Sequence, residues 1–261
     1  KEPHLVLNEG VKENYLGGAA AVANHLSTFC KKIDFFTLAG TEKDKLNFIK
    51  KSIQKNIKIK FFNTKNSTTI IKKRFIDRVS KNKLLGVYSI NEEKLTKSLE
   101  LNFSKYIKKH ALFCDLILVS DYGHGFISDR VAKIFSSSKK FFSLNAQINA
   151  SNRGYHSLRK YKTIDNLIIN ENELRHEMRD KVSSVEKLAL KLIKDLKVSK
   201  LTITMGNKGA ILIEKNGKSV YCPAFANKVI DKVGAGDAML VIISLCMKIK
   251  MPSDLALFLG S

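Results

Sequence analysis

The stretch DKVGAGDAML, residues 231–240, sets two glycines and an acid directly ahead of a long apolar run. Ala238 to Leu245 contains no breaker and the next proline is Pro252, so the run predicts a buried helix fed by a glycine turn. A helix N-terminus leaves backbone N–H groups unpaired and carries about half a positive charge. Gly234 and Gly236, with Ala235 between them, let those donors approach an anion closely. Such a turn can hold phosphate oxygens, or the charge that develops as a phosphoryl group moves. Asp237 stands in the first helical turn, where its ionised form is favoured. An ionised carboxylate beside an anion hole suits a general base for an attacking hydroxyl. The same residues also suit a plain glycine turn with Asp237 as a helix cap.

These residues need a frame, and the hydrophobic pattern supplies one. Short strands are predicted at 4–9, 33–40, 57–62, 115–121, 141–145, 165–170, 200–206, 209–214 and 218–223. Helical patterns fall at 17–32, from 41 to about 55, at 91–110, 127–138, 171–178 and 184–196, and after Gly236. The alternation predicts an α/β fold with a mostly parallel sheet covered on both faces. One segment breaks it: 68–79 and 83–90 read as a hairpin with polar faces around Ser80-Lys81-Asn82. With residues 3–16 it predicts a small sheet apart from the main one. Parallel sheets bind ligands beyond the carboxyl ends of their strands. The residues there are Asp121-Tyr122-Gly123-His124-Gly125, Asn145-Ala146-Gln147, Asn170 to Glu173, and Thr204 to Gly209. Asp121, at a strand end, is a candidate ligand-binding acid. Lys72 and Arg74 share one strand face and are read either as reaching an anionic ligand or as a solvated hairpin face.

Composition narrows the classes. The 261 residues suffice for a sizeable core, and 44% hydrophobic content lies in the globular range. No apolar stretch approaches a membrane span, and no signal peptide is visible. Four cysteines lie far apart and no zinc spacing occurs, which predicts reduced thiols in a cytoplasmic protein. The net charge of +22 raises nucleic acid as a partner. The lysines are spread over the whole chain without interleaved aromatics, so the reading is no nucleic acid and no membrane. The field favours an anionic small substrate instead.

The segment VIDKVGAGDA, residues 229–238, resembles the signature of the ribokinase-like sugar kinases, the PfkB family. LGGAAAVANHLSTF (16–29) resembles that family's N-terminal di-glycine signature, NENE (170–173) its N-x-x-E motif, and TMGNKG (204–209) its T-x-G-x-x-G turn. All occur in family order across nearly the whole chain. The resemblance implies a ribokinase-like three-layer α/β/α domain over 1–261 with a small β-sheet lid. It implies ATP and Mg²⁺ as cofactors, and a sugar or sugar phosphate as acceptor. Asp237 becomes the catalytic base, with Gly234, Ala235 and Gly236 as the anion hole. Asn170 and Glu173 position Mg²⁺ and phosphate, with Glu173 the metal-side acid. Asp231 orders the turn or the cation. Thr204, Gly206 and Gly209 shape the nucleotide groove. Gly17, Gly18 and Asn24 face the sugar, and Lys72, Arg74 and Asp121 complete the substrate side.

TTIIKKRFIDR (68–78) and LVSDYGHG (118–125) are similar to the kinase half of bifunctional ADP-heptose synthesis enzymes, which phosphorylates heptose 7-phosphate. Two departures stand out. His124 occupies a lysine position, and Asn145-Ala146-Gln147 replaces an Asp-Pro-Lys, which points to a related but distinct acceptor. Arg153 is read either as replacing the lost positive charge or as a surface residue. The resemblance also implies a substrate-binding strand before Lys1 and adenine-enclosing elements beyond Ser261, so the chain reads as truncated at both ends. It leaves open a homodimer through the lid and a fused nucleotidyltransferase domain. The alternative reading is a catalytically silent sugar- or nucleotide-binding module of a larger fusion protein.

Overall fold

The computed structural model describes residues 10–63, 67–90, 95–148, 156–225 and 234–261. The predicted strand at 4–9 lies outside them, and residues 10–17 form neither helix nor strand. The chain then alternates as the pattern predicts. It runs through α1 (Gly18–Ser27), β1 (Ile33–Leu38), α2 (Lys43–Ser52) and β2 (Ile57–Phe62), then the hairpin β3 (Ile71–Ile76) and β4 (Lys83–Ser89). There follow α3 (Lys97–Ala111), β5 (Leu116–Asp121), α4 (Asp129–Ser136), β6 (Phe141–Ala146), β7 (Ile164–Asn170) and α5 (Glu171–Met178). The last elements are α6 (Val185–Leu196), β8 (Val198–Thr204), β9 (Ala210–Glu214), β10 (Ser219–Cys222), α7 (Ala235–Lys248) and α8 (Ser253–Gly260).

The main sheet has the order β10-β9-β8-β7-β6-β5. Neighbours from β5 to β8 pair in parallel, while β9 and β10 are antiparallel additions. Side chains alternate between the two faces as strand geometry requires. Leu144, Leu167, Leu201 and Ile211 enter one core, beside α3 to α6. Ile168, Ala210 and Leu212 enter the other, beneath α1, α7 and α8. This is the three-layer arrangement with helices on both sides of a mostly parallel sheet. Each fully buried leucine contributes about 1.5–3 kcal/mol, against about 0–1 for an exposed ion pair. The core therefore fixes where the strand ends lie. β1 and β2 pair in parallel as a separate two-stranded unit, and Phe62 joins the first core.

Side chains set several element ends that the pattern alone misplaced. The helix expected over 17–32 stops at Ser27, because the Asn56 amide donates to the carbonyls of Ser27 (2.9 Å) and Cys30 (2.8 Å). The helix expected over 91–110 opens at Lys97, where the Thr96 hydroxyl caps the Leu99 N–H; residues 91–94 lie outside the described residues. The hairpin forms its own two-stranded antiparallel sheet, with Lys72 opposite Tyr88. Its root is fastened to the start of α2. Thr69 accepts from the Gly40 N–H (3.1 Å) and donates its hydroxyl to Glu42 (3.0 Å). A Cβ at Gly40 would lie 2.5 Å from the Thr69 nitrogen, so only glycine permits this approach. The Lys45 ammonium, opposed in part by burial, and the Thr69 donors hold the Glu42 carboxyl down at about 2. All four cysteines are free thiols. No helix among the described residues is long and apolar enough to cross a membrane.

Candidate active site

The N-terminus of α7 stands at the carboxyl edge of the sheet because α7 is docked by a buried polar contact. Ser244 meets Ser143 of β6 at 2.6 Å between hydroxyls, and Asn166 of β7 donates to Ser143 at 2.9 Å. Leu240, Val241 and Ile243 pack around it without exposure. Gly234 opens the helix with φ at 89°, in the left-handed region that glycine reaches without strain. Among the described residues, the first N–H of α7 to bond back is that of Ala238, to the Gly234 carbonyl (2.9 Å). The preceding donors, on Ala235, Gly236 and Asp237, have no acceptor within the described part of the helix. Ala235 and Gly236 are exposed, so their backbone is open to a ligand.

Asp237 is half-buried on the first turn of α7. Tyr122, directly after β5, donates its hydroxyl to Asp237 Oδ1 at 3.3 Å. Burial pushes the Asp237 carboxyl above its ordinary range, while the Tyr122 hydroxyl, His25 of α1 and Lys72 of the hairpin act against that rise. Lys72 has its Nζ 5.9 Å from the rings of both Tyr122 and Tyr88. Burial depresses its ammonium, Arg74 adds to that, and Asp237 opposes it. The Tyr122 ring also faces Gly18, where an added Cβ would lie 3.3 Å from Cε2. Asp237, Gly18 and Lys72, drawn from α7, α1 and β3, therefore converge on one tyrosine. Arg74 lies further along the same hairpin face and is exposed.

Asp121 is placed differently. Its carboxylate is buried behind the site, within 2.7 Å of Lys160 Nζ and 3.9 Å of His156 Nε2. It accepts from the Tyr161 hydroxyl (2.6 Å) and the Gly123 N–H (2.9 Å). Burial alone would raise its carboxyl, but Lys160, His156 and the Tyr161 hydroxyl hold it below the ordinary value. Its oxygens are thus satisfied inside the protein, and it anchors the loop that carries Tyr122. Asn24 donates to the Ser52 carbonyl (2.9 Å) and accepts from the Gln54 N–H (3.2 Å), tying α1 to the end of α2. It borders a shallow groove of about 420 Å³ with Tyr15, Leu16, His25 and Phe48. Gly17 is the N-cap residue of α1.

On the other side of the edge, Asn170 pairs in register with Thr204. Asn170 and Glu173 form a reciprocal capping box at the start of α5. The Asn170 side chain accepts from the Glu173 N–H, and Glu173 accepts from the Asn170 N–H, both at 2.8 Å. Glu173 also accepts from the Ile148 N–H (3.1 Å), and burial raises its carboxyl. After β8 the chain turns through Gly206 (φ 62°) and Gly209 (φ 90°). A Cβ on Gly209 would fall 2.1 Å from the Cys222 carbonyl oxygen, so the turn is pressed against the end of β10. Asp231 and Arg153 lie outside the described residues. Tyr122 was marked from sequence only as one of the residues beyond a strand's carboxyl end, and His25 and the Lys160-Tyr161-His156 cluster were not singled out. A tyrosine between a strand-end acid and a glycine was the available signal.

A glycine-opened helix N-terminus, a half-buried carboxylate beside it and a separate hairpin close to the same strand end together suit an α/β enzyme of the phosphoryl-transfer type. Residues 1–243 match the pfkB family of carbohydrate kinases, so the chain belongs to that family. The bifunctional protein HldE of Aliarcobacter butzleri is 28% identical over 94% of this chain and 51% of its own length. That of Helicobacter pylori is 26% identical over 94% and 52%. The chain thus spans about half the length of the curated relatives it matches. Among solved structures, phosphofructokinase-2 of Escherichia coli in complex with substrates and products aligns with a TM-score of 0.72 at 14% identity. That alignment covers 98% of this chain and 84% of that one. Ribokinase of Thermotoga maritima aligns with a TM-score of 0.65 at 18% identity, over 93% and 75%. At these identities the likeness establishes the ribokinase-like fold.

Proposed function

We propose that this chain transfers the γ-phosphoryl group of ATP to a hydroxyl of a sugar phosphate, with a heptose 7-phosphate-like acceptor favoured. The observation that carries the reading is the position of Asp237, half-buried beside the glycine-opened N-terminus of α7 and facing Lys72 of the hairpin. Asp237 takes the proton of the acceptor hydroxyl. The N–H groups of Ala235, Gly236 and Asp237 receive the charge on the moving phosphoryl, and loss of one such preorganised donor costs about 10²–10³ in rate. Gly17 and Gly18 border the sugar, and Lys72 with Arg74 meets its phosphate. Thr204, Gly206 and Gly209 line the nucleotide groove, with Asp231 ahead of the anion hole.

Mg²⁺ suits the donor set near Asn170. No cluster of three metal-ligating side chains occurs among the described residues, and Mg²⁺ is commonly held by one or two carboxylates plus phosphate oxygens and waters. Glu173 spends part of its capacity on backbone N–H groups, so it and Asn170 would hold the ion through water. Bound there, the cation would neutralise charge on the phosphates. The hairpin acts as a lid whose closure excludes water that would otherwise hydrolyse ATP. Its outward face carries Ile71, Leu85 and Val87, exposed by 39%, 42% and 51%, which supports a homodimer through the lid.

The test is ATP consumption by the parent-length protein against a panel of sugars and sugar phosphates with Mg²⁺, beside Asp237→Asn. Turnover on phosphorylated sugars that the variant loses by at least about 10²-fold is expected. Nucleotide binding without turnover on any acceptor would refute the kinase reading in favour of a silent binding module.

A further inference from the structure

We propose that Tyr122 is the positioning residue of the site: its hydroxyl holds the Asp237 carboxylate in place, and its ring sets the approach of α1 and the hairpin. The inference rests on the kinase reading and deepens it. Three independent contacts meet on this one side chain. The hydroxyl reaches Asp237 Oδ1 at 3.3 Å, across 115 positions of sequence. The ring leaves 3.3 Å for a Cβ on Gly18, so the di-glycine start of α1 lies directly against it. Lys72 Nζ stands 5.9 Å from the ring centre on the hairpin side. A tyrosine serving only the core would put its ring among aliphatic neighbours and its hydroxyl toward a backbone carbonyl or solvent. Here the polar tip faces the carboxylate that is the candidate base.

The ring is held firmly. The preceding residue, Asp121, is locked by Lys160, Tyr161 and the Gly123 N–H, and positive-φ glycines at 123 and 125 turn the chain away. Burial, then the nearby Asp237 charge, raises the Tyr122 phenol above its ordinary value, so it remains a hydrogen-bond donor across the working pH range. A phenol donating to a carboxylate favours the ionised carboxylate. The other groups facing Asp237 are His25 from α1 and Lys72 from β3, with Arg74 acting on Lys72. All are cationic or cationic when protonated, so Tyr122 is the neutral donor among them.

Tyr122→Phe in the parent-length protein keeps the ring and removes only the hydroxyl, and circular dichroism checks that the fold is retained. The expected result is kcat lower by about 10-fold with KM within about 2-fold, since the hydroxyl touches the base rather than the acceptor. The acid limb of kcat/KM should move up by about half to one pH unit, because the ionised base has lost a donor. The Asp237 carboxyl, followed by ¹³C NMR without substrate, should titrate higher by the same amount. A Tyr122→Leu variant, which also empties the ring's place, should add a rise in KM. Superimposable acid limbs and superimposable Asp237 titrations in wild type and Tyr122→Phe would overturn the proposal. If the wild type turns over no acceptor, the kinase reading fails, yet the NMR titration still decides whether Tyr122 governs Asp237.

Discussion

Asp121→Asn is the substitution that best tests how the site is mounted. It removes a negative charge whose side chain is 4% exposed, and leaves Lys160, 15% exposed, without its carboxylate at 2.7 Å. Breaking a buried pair from one side costs about 3–5 kcal/mol. Two features favour the lower end. Lys160 also donates to the Ile127 carbonyl at 2.7 Å, and the asparagine oxygen can still accept from one of Tyr161 and Gly123, which donate to different oxygens of Asp121. About 3 kcal/mol at about 2–4 °C per kcal/mol for a domain of this size gives a Tm lower by about 6–12 °C. The pH dependence has a definite sign. The folded carboxyl lies below its unfolded value, so its contribution is present above the unfolded range, about pH 4, and is lost as pH falls through the lower folded value. The gap between wild type and variant should therefore be full at pH 7 and narrow in acid. Calorimetry from pH 7 downward, with Lys160→Met and the double variant to complete the cycle, reads both quantities. A Tm within about 2 °C of wild type at pH 7, or a gap that stays constant into acid, would refute the account of this pair.

Gly209→Ala should lower stability by at least about 3 kcal/mol, since its φ of 90° is unfavourable for alanine and its Cβ meets the Cys222 carbonyl at 2.1 Å; urea denaturation checks this. Lys72→Met should raise KM for a phosphorylated acceptor by about 10-fold or more, and lift the acid limb of kcat/KM because a cation facing Asp237 is gone. An unchanged KM would remove Lys72 from the acceptor site. Val87→Asp, on the outward face of the hairpin, should shift a dimer to monomer in sedimentation; equal mass for both proteins would exclude the lid as an interface.

The frame was legible because period-two and helical patterns are local. Strands with buried faces such as Leu116–Asp121 and Ile164–Asn170 declare themselves within a few residues. The glycine turn was legible for the same reason: Gly234 at φ 89° and an acid in the next turn are adjacent in sequence. What stayed hidden was set by partners far along the chain. Asp121 looks like a ligand residue at a strand end, and only the segment 156–161, folding back some 40 positions later, reveals its buried partners. Asn24 looks like a polar residue aimed at a site, but its amide is engaged by Ser52 and Gln54 of the next helix end. The N-x-x-E motif carries two meanings at once. Its spacing suits a cation-side pair, and the same spacing is the capping box that Asn170 and Glu173 form.

The adjacent pair Asp121-Tyr122 shows how a parallel sheet turns burial into a site. Successive side chains of a strand point to opposite sides. At the last residue of β5 one side chain therefore turns into the protein and the next turns over the sheet's edge. Asp121 takes the inner position and is fixed by Lys160, Tyr161 and the Gly123 N–H. Tyr122 takes the outer position and meets Gly18, Lys72 and Asp237. A shift of the loop by one residue would bury the phenol and expose the acid, which the Lys160 ammonium forbids. The same charge pair that stabilises the fold thus decides which residue faces the glycine turn. Loosening it in Asp121→Asn should reach Asp237 through Tyr122, moving the acid limb of kcat/KM in the same direction as Tyr122→Phe but by less. A movement in the opposite direction would break the link between the buried pair and the base.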